Sequence, residues 1–282
     1  MAVTFNTLKA NAKIFEDLKK SPEWWTRFKS EPDVYIEIRK DNQVNVYYEG
    51  GSIARIHYCS KHKKLQVFTH HKYLGHAPSG KNPYEECSDV IGQKLKKDDS
   101  FVFEKVLERV KSVYSQKHAT ASDYPKEKWS EKFIQGSLIV KNKGIHLDSE
   151  FAYKDKESDN RIDLIRCDNG LVTFVELKRM DDGRTLHEGD KTPEIVDQMN
   201  RYKAFIKKYQ DELLKYYQTL YDIKKTMELP IPSSRPTTIN PEPVLLIFDR
   251  WEKQTKDRDE HRRRVFEILK HENITYKVIT EI

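Results

Sequence analysis

Asp163, Glu176 and Lys178 are the residues of this sequence whose types and spacing best suit chemistry. They fall within residues 161–180, RIDLIRCDNGLVTFVELKRM. There two apolar runs flank Asp168-Asn169-Gly170, the signature of a tight hairpin turn. Alternation along residues 172–178 puts Phe174, Glu176 and Lys178 on one strand face, with Thr173, Val175 and Leu177 on the other. Asp163 lies across the hairpin, and Glu150 sits one strand earlier. Buried carboxylates are costly and repel one another when close. A divalent cation offsets both effects, and carboxylate oxygens select Mg²⁺ or Mn²⁺ over softer metals. An ammonium beside them can orient or help deprotonate a water and neutralise charge developing on a phosphate. The plain alternative is a set of salt bridges at the exposed end of a sheet.

Holding these groups takes strands and helices in a set order, which the flanking sequence supplies. Residues 127–140 (EKWSEKFIQGSLIV) read as a helix, then HLDSEFAY, RIDLIRC and LVTFVELK as three strands. Thr192-Pro193-Glu194 opens a long helix running to about Met227. After the proline-rich LPIPSSRPTTINPEP come the strand VLLIFD, the basic helix KDRDEHRRRVFEILKHE and the strand ITYKVIT. The order α-β-β-β-α-β-α-β predicts a mixed sheet with helices packed on it.

The front of the chain follows another pattern. Phe5, Leu8, Ala12, Phe15 and Leu18 repeat at helical spacing, and Ser21-Pro22-Glu23 caps a second helix. DVYIEIR, QVNVYYEGG, SIARIHYCS and KLQVFTHHKYL alternate with period two between turn-prone KDN, GG and SKHKK, predicting an antiparallel meander. The loop HAPSGKNPYEECSD, a helix FVFEKVLERVKSVYSQKH and a linker ATASDYPKE follow. The expected division is a helix-plus-meander module over residues 1–123, for substrate or partner recognition, and a second domain over residues 124–282.

The succession of acid, tight turn and Glu-x-Lys resembles the PD-(D/E)XK nuclease superfamily over roughly residues 125–282. The resemblance implies an α/β fold with a restriction-endonuclease-like αβββαβ core. Asp163 matches the acid of the second strand, and Glu176 and Lys178 match the E-x-K of the third. By the same resemblance the backbone carbonyl of Leu177 is a further metal ligand. Glu131 stands where many members carry a helical glutamate, and Glu131 or Glu150 is the acid that would take the place of the helical histidine of one branch as a further metal ligand. Gln198-Met199-Asn200-Arg201-Tyr202 matches the Q-x-x-x-Y motif of the RecB/Cas4-like branch, and the four-residue step puts Gln198 and Tyr202 on one helix face.

What the resemblance implies is Mg²⁺- or Mn²⁺-dependent hydrolysis of phosphodiester bonds, DNA ahead of RNA, in restriction, repair or defence against phage. Arg179 and Arg184, beside the E-x-K strand, read as phosphate contacts. The chain departs from the branch in two ways. Cys59, Cys87 and Cys167 cannot supply the four ligands of an iron–sulfur cluster, and no helical histidine is evident: His146, the nearest candidate, stands before a strand, which leaves the position to Glu131 or Glu150. The rival class of function is a non-catalytic nucleic-acid-binding or interaction protein that keeps the fold.

Bulk properties are compatible with both. Of 282 residues 34% are charged and 37% hydrophobic, and mean hydropathy is −0.82. No apolar run suits a bilayer, the first residues lack the apolar core of a signal peptide, and the scattered, odd set of cysteines points to a reducing cytoplasm. A net charge of +6 permits an anionic partner without requiring one. The expected partners are nucleic acid, no membrane, and a second copy or another protein that supplies targeting. Five histidines between His57 and His76, with Cys59 among them, invite a zinc reading, but no C-x-x-C or H-x-x-x-H pair completes a site. Tyr35, Tyr47, Tyr48 and Tyr58 read as a packed meander, with a stacking platform for unpaired bases as the functional alternative.

Overall fold

A computed structural model describes residues 7–75, 80–87, 103–118, 129–154, 159–186, 192–251 and 253–282. Among these, period-two alternation and glycine turns give a front sheet, β1 (Val34–Arg39), β2 (Gln43–Tyr48), β3 (Gly51–Cys59), β4 (Lys64–His70) and β5 (Tyr84–Glu86), antiparallel throughout and in sequence order. Its apolar face, with Ile38, Val46, Ile56 and Val67, is covered by α1 (Lys13–Lys19), α2 (Glu23–Ser30) and, after the short α3 (His71–Leu74), by α4 (Phe103–His118).

The rear half runs α5 (Glu131–Lys141), β6 (His146–Lys154), β7 (Asp159–Asp168), β8 (Leu171–Arg179), α6 (Glu194–Lys208), α7 (Gln210–Thr226), β9 (Thr238–Ile239), β10 (Val244–Phe248), α8 (Lys256–His271) and β11 (Tyr276–Ile279). The sheet order is β11-β10-β8-β7-β6, with β9 also paired to β8. The β6–β7–β8 half is antiparallel, and β8, β10 and β11 are parallel. The protein is therefore a mixed α/β structure, an antiparallel and a mixed sheet flanked by helices. The Asp-Asn-Gly turn forms as its composition requires, with Asn169 and Gly170 both left-handed, at φ 49° and 82°.

Several elements differ from expectation. The first helix begins at Lys13, because Thr7 and Lys9 are pinned to the β1–β2 turn: Asp41 N–H donates to Thr7 Oγ1 at 2.9 Å and Lys9 N–H to Asn42 Oδ1 at 2.7 Å. Phe5 and His76 lie outside the described residues. HHKYL leaves β4 as a helical turn ended by left-handed Gly75, and Tyr84–Glu86 adds a strand where a loop was expected. The long helix is two helices meeting at Tyr209 (φ −120°, ψ 26°). The break redirects the second apolar face, so that Tyr216 and Tyr217 pack on Phe151. The strand Thr238–Ile239 had no signal in its proline-rich surroundings.

The two halves share one apolar cluster that runs from Leu8 to Leu269. They also share a buried polar network. Lys224 Nζ donates to Glu37 Oε2 and to the Leu147 carbonyl, both at 2.7 Å, and Ser149 Oγ donates to Glu37 Oε1 at 3.0 Å. Arg39 reaches Asp148 and the Tyr47 hydroxyl, each at 3.0 Å. Helix α5 seats directly on the front sheet through Gly136, where a Cβ would come 2.8 Å from the backbone nitrogen of Gly50. No helix among the described residues is long and apolar enough to cross a membrane.

Candidate active site

The β7–β8 ladder is paired from Asp168↔Leu171 as far as Leu164↔Val175, and there it forks. Beyond the fork Asp163 substitutes its side chain for its backbone, Oδ2 accepting the Leu177 N–H at 2.9 Å. β8 meanwhile stays bonded to β10 through Glu176, Leu177 and Lys178. The fork thus opens a cleft floored by Glu176 and Lys178, both 2% exposed, with Asp163 at the mouth, its side chain 33% exposed.

Three oxygens gather around one ammonium. Lys178 Nζ lies 2.5 Å from Glu176 Oε1, 2.9 Å from the Leu177 carbonyl and 3.9 Å from Asp163 Oδ2. Gln198 donates to Glu176 Oε1 at 2.7 Å and stands 2.6 Å from the Tyr202 hydroxyl, which donates to the Arg161 carbonyl. Glu176 Oε2, by contrast, is buried with no hydrogen-bond partner. Gln135, four residues after Glu131 in α5, donates to the Asp163 carbonyl at 2.6 Å.

Burial dominates the electrostatics. Burial and then the Asp163 carboxylate push the Glu176 acid up to about 7, against the pull of Lys178. Burial likewise lifts Glu131 to about 7, with Lys178 opposing and Asp182 reinforcing, and raises Asp163 against the pull of Lys178 and the Leu177 N–H. For Lys178, burial disfavours the charge, but Glu176, Glu131 and Asp163 outweigh it and hold the proton more tightly than usual. Burial keeps the Tyr202 hydroxyl protonated well above neutrality.

Asp163, Glu176, Leu177, Lys178, Gln198, Tyr202 and Glu131 therefore converge on one cleft. Glu150 sits at its rim, at a left-handed φ of 49°, with its charge acting on Asp163. Its carboxylate faces Lys132 at 3.4 Å and the Tyr47 hydroxyl at 3.5 Å. Arg179 is tied back to Asp181 and the Trp129 carbonyl. Arg184 is clasped by Asp182, with Nη2 3.7 Å from Glu131. Both arginines line an open hollow of about 400 Å³ with Ser130, Glu131 and Asp182.

Sequence reasoning missed Gln135 and Asp182; the four-residue step from Glu131 to Gln135 was the one available signal. The described residues contain no ready-made cage of three or more His, Cys, Asp or Glu side chains, either here or around the front histidines. Compared with known protein families, with curated proteins and with solved structures, the chain matches none.

Proposed function

We propose that the chain is a Mg²⁺- or Mn²⁺-dependent nuclease of the PD-(D/E)XK kind, close to its RecB/Cas4-like branch, hydrolysing DNA in preference to RNA. The observation that carries this reading is the under-neutralised cleft: Asp163, Glu176 and Glu131 face one ammonium, with a buried carboxylate oxygen left unpartnered. That donor set suits a hard divalent cation. Asp163, Glu176 and the Leu177 carbonyl would hold it, with Glu131 as a further acid and Glu150 at the rim. The cation, when bound, supplies positive charge for the phosphoryl oxygens and acidifies water.

The protein's own residues do the rest. Lys178, released from the carboxylates, orients the attacking water and offsets negative charge growing on the phosphate. Gln198 fixes Glu176 through Oε1 and is itself braced by Tyr202, whose proton is committed to the Arg161 carbonyl. Gln135 holds the Asp163 backbone at the fork. Arg184 can exchange Asp182 for a phosphate, since its side chain is 42% exposed.

The test is cleavage of labelled single- and double-stranded DNA and RNA with Mn²⁺ or Mg²⁺, against EDTA controls and the Glu176→Gln variant. Metal-dependent products from the wild type alone support the reading. Products that persist in EDTA or in the variant come from a contaminant and sink it.

A further inference from the structure

The face of the front sheet turned away from α1, α2 and α4 carries a band of rings and a guanidinium. Residues directly opposite on neighbouring strands share a face. The register Asn45↔Arg55↔Phe68↔Glu86, with His70↔Tyr84 alongside, therefore places these six on one face, and His57, two residues after Arg55, joins them. Glu86 stands at its edge, held by Gln66 at 2.9 Å. Their counterparts on the other face, Ile56, Val67 and Cys87, are in the apolar core. The band is organised. The Arg55 guanidinium carbon sits over Tyr84, 3.8 Å from the ring centroid, His70 packs edge-on against Tyr84 at 5.1 Å, and His57 packs edge-on against Phe68 at 5.6 Å. Arg55, His57, Phe68, His70 and Tyr84 remain half-exposed.

Two features point to a ligand and to where it leads. Asn45 is 8% exposed, yet its Oδ1 has no partner, and the Nε of neighbouring Arg55 is equally unsatisfied. A buried hydrogen-bonded link joins the band to the rim of the cleft. Asn45 Nδ2 donates to the hydroxyl of buried Tyr47 at 3.3 Å, and that hydroxyl meets Glu150, whose charge acts on Asp163.

We propose that this band seats an unpaired nucleic-acid strand on its way into the cleft, so that the preferred substrate carries a single-stranded segment beside the cut. The inference rests on the nuclease reading above and names its substrate class. Ring faces and an arginine plane stack bases of any sequence. Burial lowers the proton affinity of both His57 and His70, helped at His57 by Arg55 and at His70 by Lys72 and His71, so at neutral pH these rings stack as uncharged imidazoles. Phe68 and His70 are about 7 Å apart along their strand, twice the ~3.4 Å step of a stacked strand in a duplex. Only bases already unstacked can use both rings, which excludes a duplex. Tyr35, Tyr47 and Tyr48 are buried, the first two stacked on each other, and belong to the packed meander as expected rather than to a platform.

The test is anisotropy of the full chain, in EDTA, with a labelled oligothymidylate and with a duplex of the same length. The wild type should bind the single strand more tightly. Phe68→Ala and Tyr84→Ala should each weaken that binding about tenfold and leave duplex binding unchanged. Phe68→Tyr and Tyr84→Phe, which keep the rings, should bind as wild type, separating ring loss from misfolding. If the alanine variants bind the single strand as the wild type does, or the wild type prefers duplex while still cutting DNA with Mn²⁺, the band is not the strand's seat and the nuclease reading stands. If the wild type neither binds nor cuts nucleic acid, both fall together.

Discussion

In the network between the sheets, Glu37 and Asp148 meet Lys224 and Arg39, two acids against two bases. In the cleft at the β7–β8 fork, Asp163, Glu176 and Glu131 face Lys178, while Arg184 is already matched by Asp182. Each cluster holds a deeply buried carboxylate, and burial lifts Asp148 to about 7 just as it lifts Glu176, while Asp163 and Glu131 stand about a third exposed. A buried acid alone therefore does not separate them. Satisfaction does: both oxygens of Glu37 accept hydrogen bonds, whereas Glu176 keeps one buried oxygen empty. A closed cluster holds a fold together, and an open one has acceptor capacity left for something that arrives.

Removing one acid from the open cluster should have the largest effect. Asp163→Asn or Glu176→Gln should cut the cleavage rate on the order of a thousandfold or more, and calorimetry should show Mn²⁺ binding weakened in parallel. The metal-free fold should survive, since each change relieves repulsion. Wild-type Mn²⁺ affinity in Asp163→Asn would remove this acid from the metal site.

Breaking each cluster at its lysine sharpens the contrast. Lys224→Met leaves the Glu37 carboxylate buried with one hydroxyl for company, a loss of about 3–5 kcal/mol, read as a lower denaturant midpoint that Mn²⁺ does not restore. Lys178→Met also strips a buried carboxylate of its counter-charge, but here Mn²⁺ should bind more tightly than in the wild type and recover the midpoint. Sequence reasoning alone expects Lys178 removal to leave metal affinity intact. The ammonium's contacts with Glu176 Oε1 and the Leu177 carbonyl argue otherwise. Equal insensitivity of the two variants to Mn²⁺ would erase the distinction between the clusters.

The open cluster was more legible in the sequence than the closed one. Asp163, the Asn-Gly turn and Glu-x-Lys lie within one hairpin, so local periodicity fixes their relative placement. Gln198 and Tyr202 could be added because a four-residue helical step fixes a face. Glu37 and Lys224 are 187 positions apart and meet only through tertiary packing, which no local pattern encodes. The same limit applies at Arg39 and Asp148, and at the stretch from Thr192 to Met227, where helical spacing continues through Tyr209 and the change of axis leaves no mark. Arg179 and Arg184 look like exposed cations in sequence. Asp181 and Asp182, beside them in the chain, hold them in ion pairs.

Gln198 and Tyr202 test how finely the open cluster is braced. Neither is a good ligand for a hard cation beside a carboxylate. Gln198→Ala removes the donor that holds Glu176 Oε1, and Tyr202→Phe removes the link from Gln198 to the Arg161 carbonyl. Both variants should bind Mn²⁺ normally and cleave about ten- to a hundredfold more slowly, the usual cost of a misplaced group. A wild-type rate in both would reduce the Q-x-x-x-Y match to helix packing.

The mildest test uses pH. Glu176 and Glu131 titrate near 7 in the folded chain, above their ordinary value of 4.5, because burial favours the neutral acid. A raised carboxyl contributes stability fully present below the unfolded value and lost as pH rises through the folded one, so metal-free protein is weakened between about 4.5 and 7 by these groups. Global stability is a poor readout of this. Burial drives His146 down to about 3, and that contributes in the opposite sense, adding stability as pH rises from about 3 to the ordinary histidine value of 6.5. Metal binding isolates the cleft, since a cation needs the ionised carboxylates. Mn²⁺ affinity should rise roughly tenfold from pH 6 to 7 and level off above, with proton release detectable by calorimetry in buffers of different ionisation enthalpy. In Glu176→Gln the residual weak binding should lose the share of that slope due to Glu176 and keep only that of Glu131. In Lys224→Met, whose change lies in the closed cluster, the slope should be unchanged. A slope that follows Lys224 and ignores Glu176 would place the titrating acid in the wrong cluster.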